Sequence, residues 1–344
     1  MSSLPQPGAP SAGQVSSSPP AIDVFFVGMV FFDLIFGGID QLPEPGTESW
    51  VRDRAVSPGG TANRAVAAAR LGLHAGIAVA AGTDIFGDHL RALLADVDNL
   101  DLRWFGQFPT VATAVTVSLT SPSDRRFITH GSRGPVPVRA LAPQLPRARA
   151  AHLAVTPEVP EWALEMRSAG TRLFGGVGWD AEEKWSPEIL SSLAHFDAFI
   201  PNATEAMAYT RTDSPEAALR RLAQHVPLVA VTCGERGVIA VDGNTGEEAS
   251  APAIPVEALD PTGAGDVFTA ALIYGTLSGR PLRQRLLLAN VCAGLSVRQL
   301  GGARSAPGWR EIEDWLAEPG RADAGDVALL RSFLRDRAEP SQVS

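Results

Sequence analysis

The sequence predicts an α/β protein: a three-layer sandwich with a mostly parallel central sheet and a small inserted β lid. Three observations predict it. Apolar segments of strand length alternate with segments of helical rhythm, the strand segments are continuously apolar as buried parallel strands are, and two stretches break the alternation.

Taken in order, "IDVFFVGMVFFD" from Ile22 reads as one buried central strand ending near the polar Asp33. Residues 36 to about 58 then lack helical rhythm. "TANRAVAAARLG" is a helix closed by Gly72, "GIAVAAG" a strand and "DHLRALLADV" a helix. A second interruption, about 102 to 130, contains "TAVTVSLTSPSDRRFITH", which alternates with period two around a Ser-Pro-Ser-Asp turn and predicts a hairpin. The two interruptions together predict the lid. The strands "RAAHLAV", "TRLFGGV" and "FDAFIPN" follow, then the helix "EAALRRLAQHV", the strands "LVAVTCG" and "GVIAVDG", and a final amphipathic helix, "WREIEDWLAE". One domain is expected over residues 21–335, after a disordered Ser/Pro/Gly-rich tail (1–20) and before a frayed end (336–344).

Composition narrows the function. A formal charge of -9 argues against a surface that tracks nucleic acid, which needs clustered Lys and Arg. Cys233 and Cys292 are the only cysteines, too far apart for a CxxC site or a disulfide framework, as suits a reducing cytoplasm. No apolar run approaches the roughly 20 residues that span a bilayer, so no membrane partner is expected. The single lysine, Lys184, lies in "AEEKW", which rules out a GxxxxGK[ST] loop and the lysine grip of protein kinases. Neither HExxH nor GxGxxG occurs. Any phosphate must be held mainly by backbone amides and arginine.

One stretch is suited to that. In "DPTGAGDVFTAALIYG", Gly263, Ala264 and Gly265 precede an apolar helix, so their N–H groups can converge at its positive end where small side chains admit an anion. Asp266 falls in the first helical turn, placed to accept a proton from an attacking hydroxyl. Alone, the same pattern also suits a tight turn with a favourable first-turn carboxylate. A carboxylate beside an anion hole makes sense where there is a proton to accept or a cation nearby.

"DPTGAGDVFTAAL" resembles the C-terminal signature of the ribokinase-like carbohydrate kinases, the phosphofructokinase-B family. "SPGGTANRAVAAARLG", residues 57–72, is similar to that family's N-terminal Gly-Gly-x-x-Asn signature. The resemblance covers roughly residues 21–320 and implies a ribokinase-like fold and transfer of the γ-phosphoryl group of ATP to a sugar hydroxyl. It implies Asp266 as base, Gly263, Ala264 and Gly265 as anion hole, and Asp33, Gly59, Gly60 and Asn63 facing the substrate. Asn202 and Glu205 in "PNATEA" match the element that organises Mg²⁺ and phosphates, Glu205 through water, although the same NxxE spacing also makes a capping box. Thr232, Gly234 and Gly237 match the nucleotide-binding strand and turn, and Asn290 the adenine pocket. For K⁺, which activates some members, Asp260 and Thr262 match one loop, and Ser296, Gln299, Gly301 and Ser305 the other. Pro261 stands where many members carry Thr.

The substrate is left open between a sugar or related polyol, a nucleoside, and a sugar bound by a catalytically silent sensor. Arg125 and Arg126 could meet a substrate phosphate or be solvated hairpin charges. Glu158 and Asp180 follow strand ends, where open α/β sheets place ligand groups, and Trp179 and Phe36 could stack on a ring or pack internally. A homodimer through exposed lid strands is a further expectation.

Overall fold

The opening apolar run is two strands in two different sheets. In the computed structural model, which describes residues 21–39, 43–120, 125–178, 180, 183–318 and 324–338, β1 (Ala21–Val27) lies in the main sheet and β2 (Val30–Gly37) in a smaller one. The chain leaves the main sheet at Gly28, where a Cβ would come within 2.4 Å of Thr61 Oγ1. Met29 O then accepts from Thr61 N at 2.9 Å. Asp33 is therefore in the middle of a second-sheet strand and not at the end of a central one. Hydropathy could not mark the break, because both halves bury apolar side chains.

The small sheet has the order β3-β2-β7-β8, with β3 (Asp53–Gly60) antiparallel to β2, β7 (Ala114–Thr120) parallel to β2, and β8 (Arg125–His130) antiparallel to β7. It begins at Val30, earlier than the expected 36, and takes only the later part of the second interruption. The earlier part supplies β6 (Phe105–Phe108), which pairs with main-sheet strand β4 (Ala75–Gly82).

The main sheet continues with β5 (Leu100–Asp101), β9 (Arg147–Ala154), β10 (Arg172–Gly176), β11 (Ala198–Phe199), β12 (Leu228–Thr232), β13 (Val238–Asp242) and β14 (Glu247–Ala251). Its order is β14-β13-β12-β11-β10-β9-β1-β4-β5, with β6 also on β4. Pairing is parallel except in the β12–β13 and β13–β14 hairpins.

Strand periodicity divides the core between the two faces. Val24 and Phe26 pack into one cluster under α1 (Thr61–Arg70), α2 (Ile85–Ala95), and the later helices α8 (Ala264–Leu277), α9 (Leu282–Ser296) and α10 (Trp309–Ala317). Phe25 packs into the other under α3 (Val138–Leu141), α4 (Glu161–Ser168), α5 (Ile189–Ser192), α6 (Ala203–Thr210) and α7 (Pro215–Leu222). Burying each such phenylalanine is worth roughly 1.5–3 kcal/mol. Every residue of α8 from Val267 to Ile273 is buried, as befits a helix apolar on all sides, and this anchors its N-terminal end.

The expected last helix is α10, but α11 (Ala324–Ala338) follows it. It is held against α9 by Arg283–Asp326 at 2.8 Å and by Leu330 and Phe333 in the core. The predicted tail at 1–20, the Ser-Pro-Ser-Asp turn, Trp179, the Arg125 side chain and residues 339–344 fall outside the described residues. Among the described residues no helix is long and apolar enough to cross a membrane.

Candidate active site

Gly263 caps α8 in the left-handed region at φ 79°. A side chain there would meet Asn63 Nδ2 at 3.0 Å, so glycine is required by both conformation and space. The amides of Gly265 and Asp266, in the first turn, have no intrahelical acceptor. Ala264 N, expected to point into the anion hole, makes a 3.3 Å bond back to Pro261 O.

Asp266 is the third residue of α8 and faces α1. Asn63 Nδ2 donates to its Oδ2 at 2.8 Å, and Arg64 Nη2 lies 2.6 Å from its Oδ1. The two signature stretches thus meet at one carboxylate across 203 residues of chain. Asn63 is only 3% exposed and is engaged with Asp266, leaving its Oδ1 buried and without a partner.

Asp33 approaches from the second sheet. Its Oδ2 occupies the space beside Gly59, where a Cβ would be 1.9 Å away, so Gly59 admits the Asp33 carboxylate. Gly60, at φ 63°, is required instead by Met29 O and the Phe31 ring, 2.7 and 2.6 Å from where its Cβ would be. Burial pushes the Asp33 carboxyl up to about 7; a hydrogen bond from Thr116 opposes this, and the charges of Asp260 and Asp266 add to it.

A second rim follows the carboxyl ends of β11 and β12. Asn202 and Glu205 form a reciprocal capping box on α6, with Asn202 N donating to Glu205 Oε2 and Glu205 N to Asn202 Oδ1, both at 2.9 Å. Burial raises the Glu205 carboxyl above its ordinary value; the Asn202 amide and the Arg64 charge act against it. Asn202 bridges to Thr232, which leads into the turn at Gly234 and Gly237. Gly237 has φ 86°, and a Cβ there would be 2.1 Å from Ala251 O. Asn290 Nδ2 donates to that same Ala251 O at 3.0 Å and to Pro252 O at 2.8 Å. Thr232, Gly237 and Asn290 are thereby gathered along one edge.

The two loops matched to a monovalent cation site are also adjacent. Asp260, fully buried, accepts from Thr262 N at 3.0 Å and Gly301 N at 3.2 Å. Among the described residues it has no cationic side chain as partner, and a buried carboxylate in that position suits a nearby cation. The hydroxyls of Ser296 and Ser305 donate to Ala293 O and Gly302 O, Gly301 O accepts from Ser57 Oγ at 2.5 Å, and Gln299 is exposed. For a divalent ion, the described residues hold no cluster of three His, Cys, Asp or Glu side chains. Mg²⁺ carried on nucleotide phosphates, keeping its waters and needing few carboxylates, is the form that fits.

Arg126 and Glu158 are exposed and Phe36 is half-buried. Asp180 accepts from Trp185 N at 2.8 Å within its own loop. Two residues at the site were not anticipated. One is Arg64. The other is His152 on β9, fully buried with neither ring nitrogen partnered, and held well below the ordinary histidine value by burial and then by Arg64. A histidine inside the otherwise apolar "RAAHLAV" was the available signal. The large groove of about 780 Å³ beside Ala21, His74 and Arg147 lies at the amino ends of β1 and β9, away from this chemistry.

Residues 24–309 match the model of the pfkB family of carbohydrate kinases. A cytidine kinase of Thermococcus kodakarensis is 27% identical over 67% of this chain and 84% of its own. A ribokinase of Lactococcus lactis is 26% identical over 86% and 97%. In fold, the chain is similar to Arabidopsis thaliana ribokinase complexed with ribose and ATP, with TM-score 0.69 at 23% identity over 88% of this chain and 100% of that one. A fructokinase from Vibrio cholerae, bound to fructose, ADP and potassium, has TM-score 0.68 at 21% identity over 87% and 99%.

Proposed function

Because the chain belongs to the pfkB family of carbohydrate kinases, phosphotransferases with an alcohol acceptor, we propose that it transfers the γ-phosphoryl group of ATP to a hydroxyl of a sugar or related polyol. The observation that carries this reading is Asp266, a carboxylate fixed at the amide-lined start of a buried helix, with Asp33 facing the same space from the second sheet.

The residues divide the work. Asp33 orients acceptor hydroxyls by accepting their hydrogen bonds. Asp266 takes the proton of the attacking hydroxyl as the oxygen–phosphorus bond forms and the bond to ADP breaks. The amides at Gly265 and Asp266 hold phosphoryl oxygens, where fixed dipoles act without reorganising. The rim of Thr232, Gly234, Gly237 and Asn290 takes the nucleoside. Mg²⁺ on the phosphates would neutralise charge, with Glu205 within reach through water. A potassium ion beside Asp260 would compensate that buried charge and steady the loop before α8.

A nucleoside is the competing acceptor, favoured by the cytidine kinase relative. A silent sugar sensor is disfavoured, since it has no need of Asp266, the glycine turn and Glu205 together. The second sheet acts in this reading as a closing lid that excludes water and can pair two copies.

ATP consumption with Mg²⁺ and K⁺, against sugars, sugar phosphates and nucleosides, tests the proposal. Turnover is expected on one class, falling roughly 10²–10⁴-fold in Asp266→Asn with the fold intact. Near-normal turnover in that variant would remove Asp266 from the role, and binding of sugar without ATP consumption would favour the sensor.

A further inference from the structure

Arg64 turns its guanidinium onto the proposed base, and both side chains are largely covered, at 22% and 18% exposure. With Asn63 on the other oxygen, neither oxygen of Asp266 is without a partner. The Arg64 guanidinium occupies the approach to Oδ1, so an arriving hydroxyl competes with it for that oxygen. The Arg64 charge is also felt at Glu205 and at His152, so it acts on both Asp266 and the NxxE carboxylate. In the proposed reaction the phosphates of ATP come to this place. Its Nε is a buried donor without a partner. A terminal phosphoryl group carries more charge than one carboxylate and offers oxygens that match the guanidinium fork.

We propose that Arg64 is a positioning residue that exchanges partners: it grips Asp266 until nucleotide arrives, then moves to the terminal phosphoryl oxygens of ATP and releases Asp266 for the acceptor hydroxyl. This rests on the kinase reading above. In the transfer, the acceptor oxygen bonds to the γ-phosphorus, the bond to the ADP oxygen breaks, and the hydroxyl proton goes to the Asp266 oxygen that Arg64 has left. Nucleotide binding therefore prepares the base.

The exchange has a signature in binding alone. Asp266→Asn should tighten MgATP by about tenfold in calorimetry, because Arg64 no longer has a competing anion, and should leave AMP unchanged. In Arg64→Gln the same Asp266→Asn change should tighten MgATP by no more than about threefold, the residue of relieved repulsion. Arg64→Lys, with thermal melts as a control for folding, should keep part of the coupling. In turnover, Arg64→Gln should lower kcat by roughly 10–100-fold while the acceptor KM stays within about threefold. Equal tightening in the two backgrounds, or none in either, would overturn the exchange while leaving the kinase reading standing. MgATP binding with the coupling intact but no turnover on any acceptor would overturn the kinase reading and support the exchange. Failure of the wild type to bind MgATP would overturn both.

Discussion

Asp33 shows how much one residue's surroundings can change its chemistry. A carboxyl whose folded value is about 7, against 3.8 ordinarily, holds a proton in the folded protein that the unfolded chain has already released across that window. Its contribution to stability therefore falls as pH rises from about 4 to 7, and the full cost of ionising it is present above 7. Asp33→Asn should raise the stability at pH 8 by up to about 4 kcal/mol, and by little at pH 4, in denaturant titrations at the two pH values. The same substitution should weaken the acceptor. In the wild type, acceptor KM should rise as pH falls from 8 to 6, because the protonated carboxyl loses acceptor capacity, and steady-state kinetics on Asp33→Asn should show that dependence gone. A variant less stable at pH 8 would show that the buried charge is compensated.

At the scale of elements, the junction of α1 and α8 makes the candidate site. The two helices meet through Asn63, Arg64 and Asp266, and α8 is anchored by burial on all sides, so its first turn is held without help from a side-chain cap. Gly263→Ala would force a side chain into a left-handed conformation, costing about 1–2 kcal/mol, and press it onto Asn63. The expected result is a loss of kcat of at least about tenfold with a fall in melting temperature of only a few degrees, since the strain is at the mouth of the helix and not in its core. Melting and single-turnover assays on one preparation would separate the two. The glycine-to-carboxylate order here was readable from the chain, because a helix start and an anion nest both need small residues before an apolar run. The partners of Asp266 were not, since a polar residue on α1 gives no sign of which distant helix it will face.

For the whole molecule, the second sheet stands apart from the three-layer body and ends in the edge strand β8, with Phe127 and Ile128 52% and 67% exposed. Exposed apolar residues on an edge strand invite pairing. If the lid joins two copies as proposed, light scattering should give a dimer for the wild type and a monomer for Ile128→Glu; a wild-type monomer at micromolar concentration would end that reading. The alternation of strand and helix, the hairpin and the two signature stretches were determined by the sequence itself, because they depend on local periodicity and on residues within a turn of one another. Tertiary structure alone decided that one apolar run becomes strands in two sheets, that a further helix, α11, packs after the last expected one, that Gly59 makes room for Asp33, and that Arg64 meets Asp266. Each of these is a matter of which surfaces meet across distant parts of the chain, and hydropathy records only that a residue is buried, not what lies opposite it.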